Sequence, residues 1–243
     1  MRSVKISVVV PTFNEEKGIE KFLKQFSRQT LPRNEFEIII SDGNSTDRTR
    51  ELAKKYANKV IIQQSEGIGG ARNDGVRVAE AEIIATTDAD ILVSRTWLEK
   101  IVDQFEKDKE LVLLFGSNYP ITKRKAIKFF SQVKRWENVI GAGLRIFYFA
   151  EGTNTAFRKA PFLKIGGYSD MPILDDMEVT FRIKKLGKIK YDGSIYIYSS
   201  TRRADKYGIG RFGIDALSSY LKIIFFGKDY HKIKRYAKEE YGK

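Results

Sequence analysis

The residues best suited to chemistry in this 243-residue chain are carboxylates that close or follow apolar runs. Asp88 and Asp90 stand one residue apart at the end of EIIATTDAD. In an extended chain, alternate side chains point the same way. Two like charges so placed repel unless solvent or a cation comes between them. Hard divalent cations take oxygen ligands, commonly one or two carboxylates together with substrate phosphates. Alone, DAD would better suit a solvated surface loop that caps a helix; beside three other polar strand-end loops, a cation with a diphosphate becomes the better reading. A second acidic group, Asp175-Asp176 with Glu178 close behind, opens DDMEVTFRIKKLG. A positioned carboxylate can take a proton from a hydroxyl. Like-charged neighbours would raise the basicity of Asp176, whereas the N-terminal dipole of a helix would lower it.

Other chemistries are removed by composition. The chain has no cysteine, and its single histidine is His231. Thiolate zinc sites, disulfides, cysteine nucleophiles and histidine-based triads are therefore not expected. The longest apolar runs are far shorter than the roughly 18 residues of a spanning helix. The first residues lack the apolar core and cleavage site of a signal peptide, so a cytoplasmic location is expected.

Strands and helices must bring the acids together. Residues 4–10, 36–41, 59–63 and 82–88 read as β-branched strands. Helical spacing between them covers residues 15–29, 47–56 and 70–79. This alternation implies an α/β fold with a mostly parallel sheet flanked by helices. Ligands bind such sheets at the carboxyl ends of the strands. Four polar loops fall there: Pro11-Thr12-Phe13-Asn14-Glu15-Glu16, Ser41 to Asp47, Gly67 to Asn73, and Asp88-Ala89-Asp90. Beyond them come a helix over 95–106, a strand over 111–116 and a basic amphipathic segment over 121–136. An extended segment over 152–158, a helix over 175–187 and a strand over 195–200 follow. Two amphipathic helices, broken at Gly227, end the chain.

VVVPTFNEE, SDGNSTDRT, GGARNDG and TTDAD, in that order, resemble the donor half of family 2 glycosyltransferases with the GT-A (Rossmann-like) fold. EGTNTAFRKAPFLKIGGYSD and LDDMEVTFRIKKLG resemble that family's acceptor-side segment and acidic helix. The resemblance covers roughly residues 4–205. It implies a metal-dependent, inverting, hexosyl-type transferase using Mg²⁺ or Mn²⁺. It implies that Pro11, Thr12, Phe13, Glu15, Asp42 and Arg72 meet a UDP- or GDP-sugar, together with Asp88, Ala89 and Asp90. Asp88 and Asp90 would lie at the metal, and Asp176 would be the general base with Asp175 beside it. Ser41-Asp42 stands where the family commonly has two acids, leaving the base contact to Asp42 alone. Gly152 and Thr153 fall in the acceptor segment, and Arg202 and Arg203 could clamp a phosphate or form a solvated basic turn.

This reading divides the chain into a donor half (1–116), an acceptor half (117–205) and a basic tail (206–243). A sugar-nucleotidyltransferase would carry a glycine-rich, lysine-containing loop after its first strand, which PTFNEE does not match. The net charge of +13 is uneven. Residues 121–136 hold six basic residues and no acid, and residues 202–243 hold eleven basic against five acidic. A basic nucleic-acid- or membrane-binding module without catalysis is the competing reading. Nucleic-acid binding would interleave aromatics with the bases. Here the aromatics of both segments share the apolar side, so no nucleic-acid partner is expected. Phe129-Phe130 and Phe225-Phe226 are expected in the core. The basic stretches suit either a helix packed on the domain or an anionic membrane surface. An acceptor glycan or lipid-linked substrate, met at the cytoplasmic membrane face, follows from the second.

Overall fold

The computed structural model describes residues 4–143, 150–169 and 175–200. The expected tail helices, Arg202, Arg203 and His231 lie outside the described residues. One mixed sheet of eight strands, ordered β3-β2-β1-β4-β7-β6-β8-β5, organises the rest. Its first half is the parallel set expected from the alternation: β1 (Ile6–Thr12), β2 (Phe36–Asp42), β3 (Lys59–Ile62) and β4 (Ile83–Thr86). Strands β1, β2 and β4 are buried along nearly their whole length because both faces are covered, whereas the edge strand β3 is only partly buried. Ile6, Val8, Val10, Ile38 and Ile40 pack toward α1 (Ile19–Lys24) and α4 (Trp97–Lys107). Val9, Ile39 and Ile84 pack on the other side, with Val76 of α3 (Gly67–Val78) and Phe162 of α6 (Lys159–Lys164). Between β2 and β3 lies the short helix α2 (Thr49–Ala53).

The second half runs differently. Strand β7 (Thr155–Arg158) is antiparallel to β4, pairing Thr86 with Thr155, and also to β6 (Leu111–Ile121). Next to β6 runs the parallel strand β8 (Lys188–Ser200), with a register shift at Gly116/Ser117, and β5 (Ile91–Val93) closes the edge. Strand β6 continues five residues past the expected end at Gly116, because β8 pairs with it all the way to Ile121. The start of β8 was not expected, since lysine, aspartate and glycine break its apolar pattern.

Two helices complete the picture. The acidic helix α7 (Asp175–Ile183) has Met177, Val179 and Ile183 buried. The basic segment forms α5 (Lys125–Gly143), longer than its expected limits. Its orientation corrects the expectation that Phe129 lies in the core, for Phe129 is 65% exposed.

Candidate active site

The loops after β1 and β2 are laced together by short polar side chains. Asp42 is fully buried. Its Oδ2 accepts from Thr12 Oγ1 at 2.9 Å and Ser45 Oγ at 2.7 Å, and its Oδ1 from Ser45 N at 2.7 Å. Arg50 Nε lies 3.6 Å from Oδ1. Asn14 and Asn44 both take positive φ, 53° and 63°, which asparagine tolerates better than most residues. Asn14 N donates to Ser45 Oγ, Glu15 N to Thr49 Oγ1 and Thr46 N to Asn14 Oδ1. The Asp42 carboxylate is therefore a hydrogen-bond centre that ties the two loops together. Thr12 is buried, and Pro11 and Glu15 are half-buried. Phe13 is a large apolar side chain that these loops leave exposed, at 61%.

Arg72, on α3, is the hinge of the site. It is buried, with Nη2 3.1 Å from Asp88 Oδ1 and Nη1 3.7 Å from Asp175 Oδ2. Its guanidinium lies 5.5 Å from the centre of the Tyr168 ring. Burial alone would lower its affinity for a proton, but Asp88, Tyr168, Asp175 and Asp176 outweigh this and hold it firmly cationic. Asp175 is pushed up to about 6 by burial; Arg72 opposes the rise and the Asp176 charge adds to it. Burial also raises the Tyr168 phenol. Arg72 Nε and Asp175 Oδ2 are buried without a hydrogen bond.

Asp176 sits beside them with both oxygens engaged. Its Oδ2 accepts from Gly152 N and its Oδ1 from Met177 N, each at 2.8 Å. Two glycines make room for this cluster. A Cβ on Gly152 would collide with the Arg72 guanidinium, and one on Gly69 would stand 2.7 Å from Asp175 Oδ2. Thr153 Oγ1, next to Gly152, is buried without a bond. The sheet's change of direction brings these parts together. Strand β4 ends at its carboxyl edge just before Asp88, and antiparallel β7 begins at that same edge just after Gly152 and Thr153.

Two positioning residues were not singled out from the sequence. Asn73, beside Arg72, binds the backbone of Tyr168 twice, Nδ2 to O and Oδ1 from N, both at 2.8 Å. Arg182 pairs with Glu178 and donates to the Gly167 carbonyl at 2.7 Å. The signal available was the position of each in its motif, Asn73 in GGARNDG and Arg182 in DDMEVTFR.

Asp88 and Asp90 supply the carboxylate oxygens that follow β4. Asp88 is half-buried and engaged with Arg72, Ala89 is buried, and Asp90 is exposed. Among the described residues no three histidine or carboxylate side chains gather as a metal cage. A cation here would rely on one or two carboxylates and on oxygens brought by a diphosphate.

The model of glycosyl transferase family 2 matches residues 7–166, well over half of the chain. The chain belongs to this family. Poly(ribitol-phosphate) beta-N-acetylglucosaminyltransferase TarS of Staphylococcus aureus is 33% identical over 124 residues, covering 47% of this chain and 22% of that protein. The probable glycosyltransferase YdaM of Bacillus subtilis is 26% identical over 204 residues, covering 75% of this chain and 47% of its own. The chain thus spans less than half the length of these curated relatives. Among solved structures, S. aureus TarS 1-349 in complex with UDP superposes with a TM-score of 0.65 at 22% identity, over 81% of this chain and 60% of that one. Mannosyltransferase PcManGT from Pyrobaculum calidifontis, in complex with GDP-Man and Mn²⁺, gives 0.64 at 22% identity, over 80% and 56%. The family 2 chain therefore has the GT-A fold inferred from its motifs.

Proposed function

We propose that this family 2 chain transfers a sugar from a nucleotide diphosphate sugar to a hydroxyl or phosphate acceptor, with inversion. The observation that carries the reading is the junction at Arg72, where Asp88 of the donor-side loop meets Asp175 of the acidic helix beside Asp176. In the reaction, an acceptor oxygen attacks the anomeric carbon while its proton passes to an Asp176 oxygen. The bond from the anomeric carbon to the diphosphate breaks, and the nucleoside diphosphate leaves with the electron pair. A general base of this kind contributes roughly 10²–10⁴-fold. The bonds from Gly152 N and Met177 N fix where the Asp176 carboxylate stands.

Phe13 offers an exposed ring for the nucleobase, with Pro11, Thr12 and Glu15 around it and Asp42 shaping the loop below. Mg²⁺ or Mn²⁺ would be held by Asp90, with Asp88 beside it, and would neutralise charge on the leaving diphosphate. Arg72, held by Asp88 and Asp175, keeps a fixed positive charge next to that group. The structural relatives hold UDP and GDP-Man, which supports UDP- or GDP-sugars as donors. Gly152 and Thr153 line the acceptor side. The basic stretches favour an acceptor bearing phosphate or a lipid, met at an anionic membrane face.

Asp90→Ala tests the reading, since Asp90 is exposed and its loss should spare the fold. Transfer from a panel of UDP-, GDP- and TDP-sugars with Mg²⁺ or Mn²⁺ should disappear while Tm is unchanged. Full transfer by the native chain in excess chelator would remove the metal from the proposal.

A further inference from the structure

Helix α5 turns several polar residues toward the body: Asn138 is buried, half-buried Ser131 donates from Oγ to the Asn118 carbonyl at 3.2 Å, and Arg135 donates to Tyr119 Oη at 2.8 Å. The Arg135 guanidinium also lies 5.8 Å from the Tyr119 ring centre. These contacts fix how the helix is rolled. They turn Phe129, Val133, Trp136 and Ile140 outward, at the i, i+4, i+7 and i+11 spacing of one stripe. Trp136 is 61% exposed and Ile140 53%. Ile121, also exposed, extends the apolar surface at the end of β6. Lys123, Arg124, Lys125 and Lys128 are exposed around the near end of the stripe.

We infer that this face of α5 docks the protein on an anionic lipid bilayer, with Trp136 and its apolar neighbours seated among the headgroups. Large aromatics on one side with lysine and arginine beside them suit the membrane interface, where apolar burial and attraction to anionic lipid act together. Charge decides between possible occupants. Ser200, the last residue of β8, pairs with Ile121, four residues before α5, and residues 201–243 follow it in the sequence. That following segment has six more basic than acidic residues, and residues 121–136 have six basic and no acidic ones. Covering one with the other would bring like charges together, and a second copy would do the same. An anionic surface complements both. The inference rests on the proposed transfer only for the source of the acceptor; docking itself rests on α5.

Trp136 supplies the probe, because the other tryptophan, Trp97, is fully buried and hydrogen-bonded to Asn154. The full chain is titrated with phosphatidylcholine vesicles with and without phosphatidylglycerol, following tryptophan emission, acrylamide quenching and co-sedimentation. The expected result is a blue shift and reduced quenching with the mixed vesicles only. Val133→Ser combined with Ile140→Ser should weaken co-sedimentation about tenfold or more. Nucleoside diphosphate binding by this variant should stay unchanged, so failure of docking and failure of the transfer reading are distinguishable. Trp136 already shielded from acrylamide without lipid at every dilution would assign the face to the chain's own tail. Shielding lost on dilution would assign it to a second copy. Equal quenching with and without mixed vesicles, or undiminished binding by the double variant, would also overturn the inference.

Discussion

Arg72 Nη1 stands 3.7 Å from Asp175 Oδ2, while the same guanidinium meets Asp88 through Nη2 at 3.1 Å. One buried cation thus joins the loop after β4 to the first residue of the acidic helix. Removing a partner from a buried ion pair leaves uncompensated charge and costs about 3–5 kcal/mol. Arg72→Ala should destabilise the fold by that order in denaturant unfolding at neutral pH. Arg72→Lys should recover only part of the loss, because a point charge cannot span both acids and face the Tyr168 ring.

Gly152 has no side chain because the Arg72 guanidinium occupies the space a Cβ would need. Gly152→Ala should push Arg72 off Asp88 and strain the bond from Gly152 N to Asp176. Turnover should fall at least about tenfold, while the Tm loss corresponds to about 1–3 kcal/mol of overpacking. Calorimetry beside a donor-consumption assay checks both.

Asp176→Asn keeps the shape of the side chain but removes its ability to take a proton. The rate of transfer should drop by about 10²–10⁴-fold. Donor binding should hold, since the carboxylate is bonded to the backbone at Gly152, on the side proposed for the acceptor. A drop in kcat without a matching change in donor KM is the expected signature.

Asp175 gives stability a pH dependence. Its carboxyl binds a proton with a value raised to about 6 in the fold, against 3.8 for the free group. Between those values the folded state holds more protons than the unfolded chain. The contribution is therefore full below about pH 4 and is lost as pH rises through about 6. Relative to Asp175→Asn, the native chain should lose on the order of 2–3 kcal/mol between pH 4 and pH 7. Urea unfolding of both proteins across that range measures the difference.

The parallel half of the sheet was legible because its signal is local. Four largely apolar runs, each followed by polar residues, define the strands β1 to β4. Asp88, Asp90, Arg72, Asp175 and Asp176 stood out from residue type and motif order, and the fold brings Arg72, Asp88 and the acidic pair together. Asp42 was legible as a carboxylate at a strand end, but not its burial, because Thr12 and Ser45 surround it only once the two loops meet. The Asn73–Tyr168 clasp depends on contact between distant segments and leaves no periodic trace. The roll of α5 was hidden for another reason. Periodicity says that Phe129, Val133 and Trp136 share a face, but not whether that face looks inward. Ser131, Asn138 and Arg135 make that choice, through bonds to β6 and burial against the body. The first residues of β8 were missed because pairing with β6, rather than their own composition, makes them a strand.

The reversal between β4 and β7 also insulates the reaction geometry from the length of the chain. Thr86 pairs with Thr155, so the exit of one strand and the entrance of the other are pinned at a common edge. Whatever lies between Val93 and Glu151 departs from that edge and must return to it. Insertions or deletions in its surface turns, such as the one between α4 and β6, would leave the spacing of Asp88, Gly152 and Asp176 intact. Such turns can therefore vary in length, since the one between α4 and β6 lies against Arg158 at the far end of β7 from Gly152, while the acids keep their places.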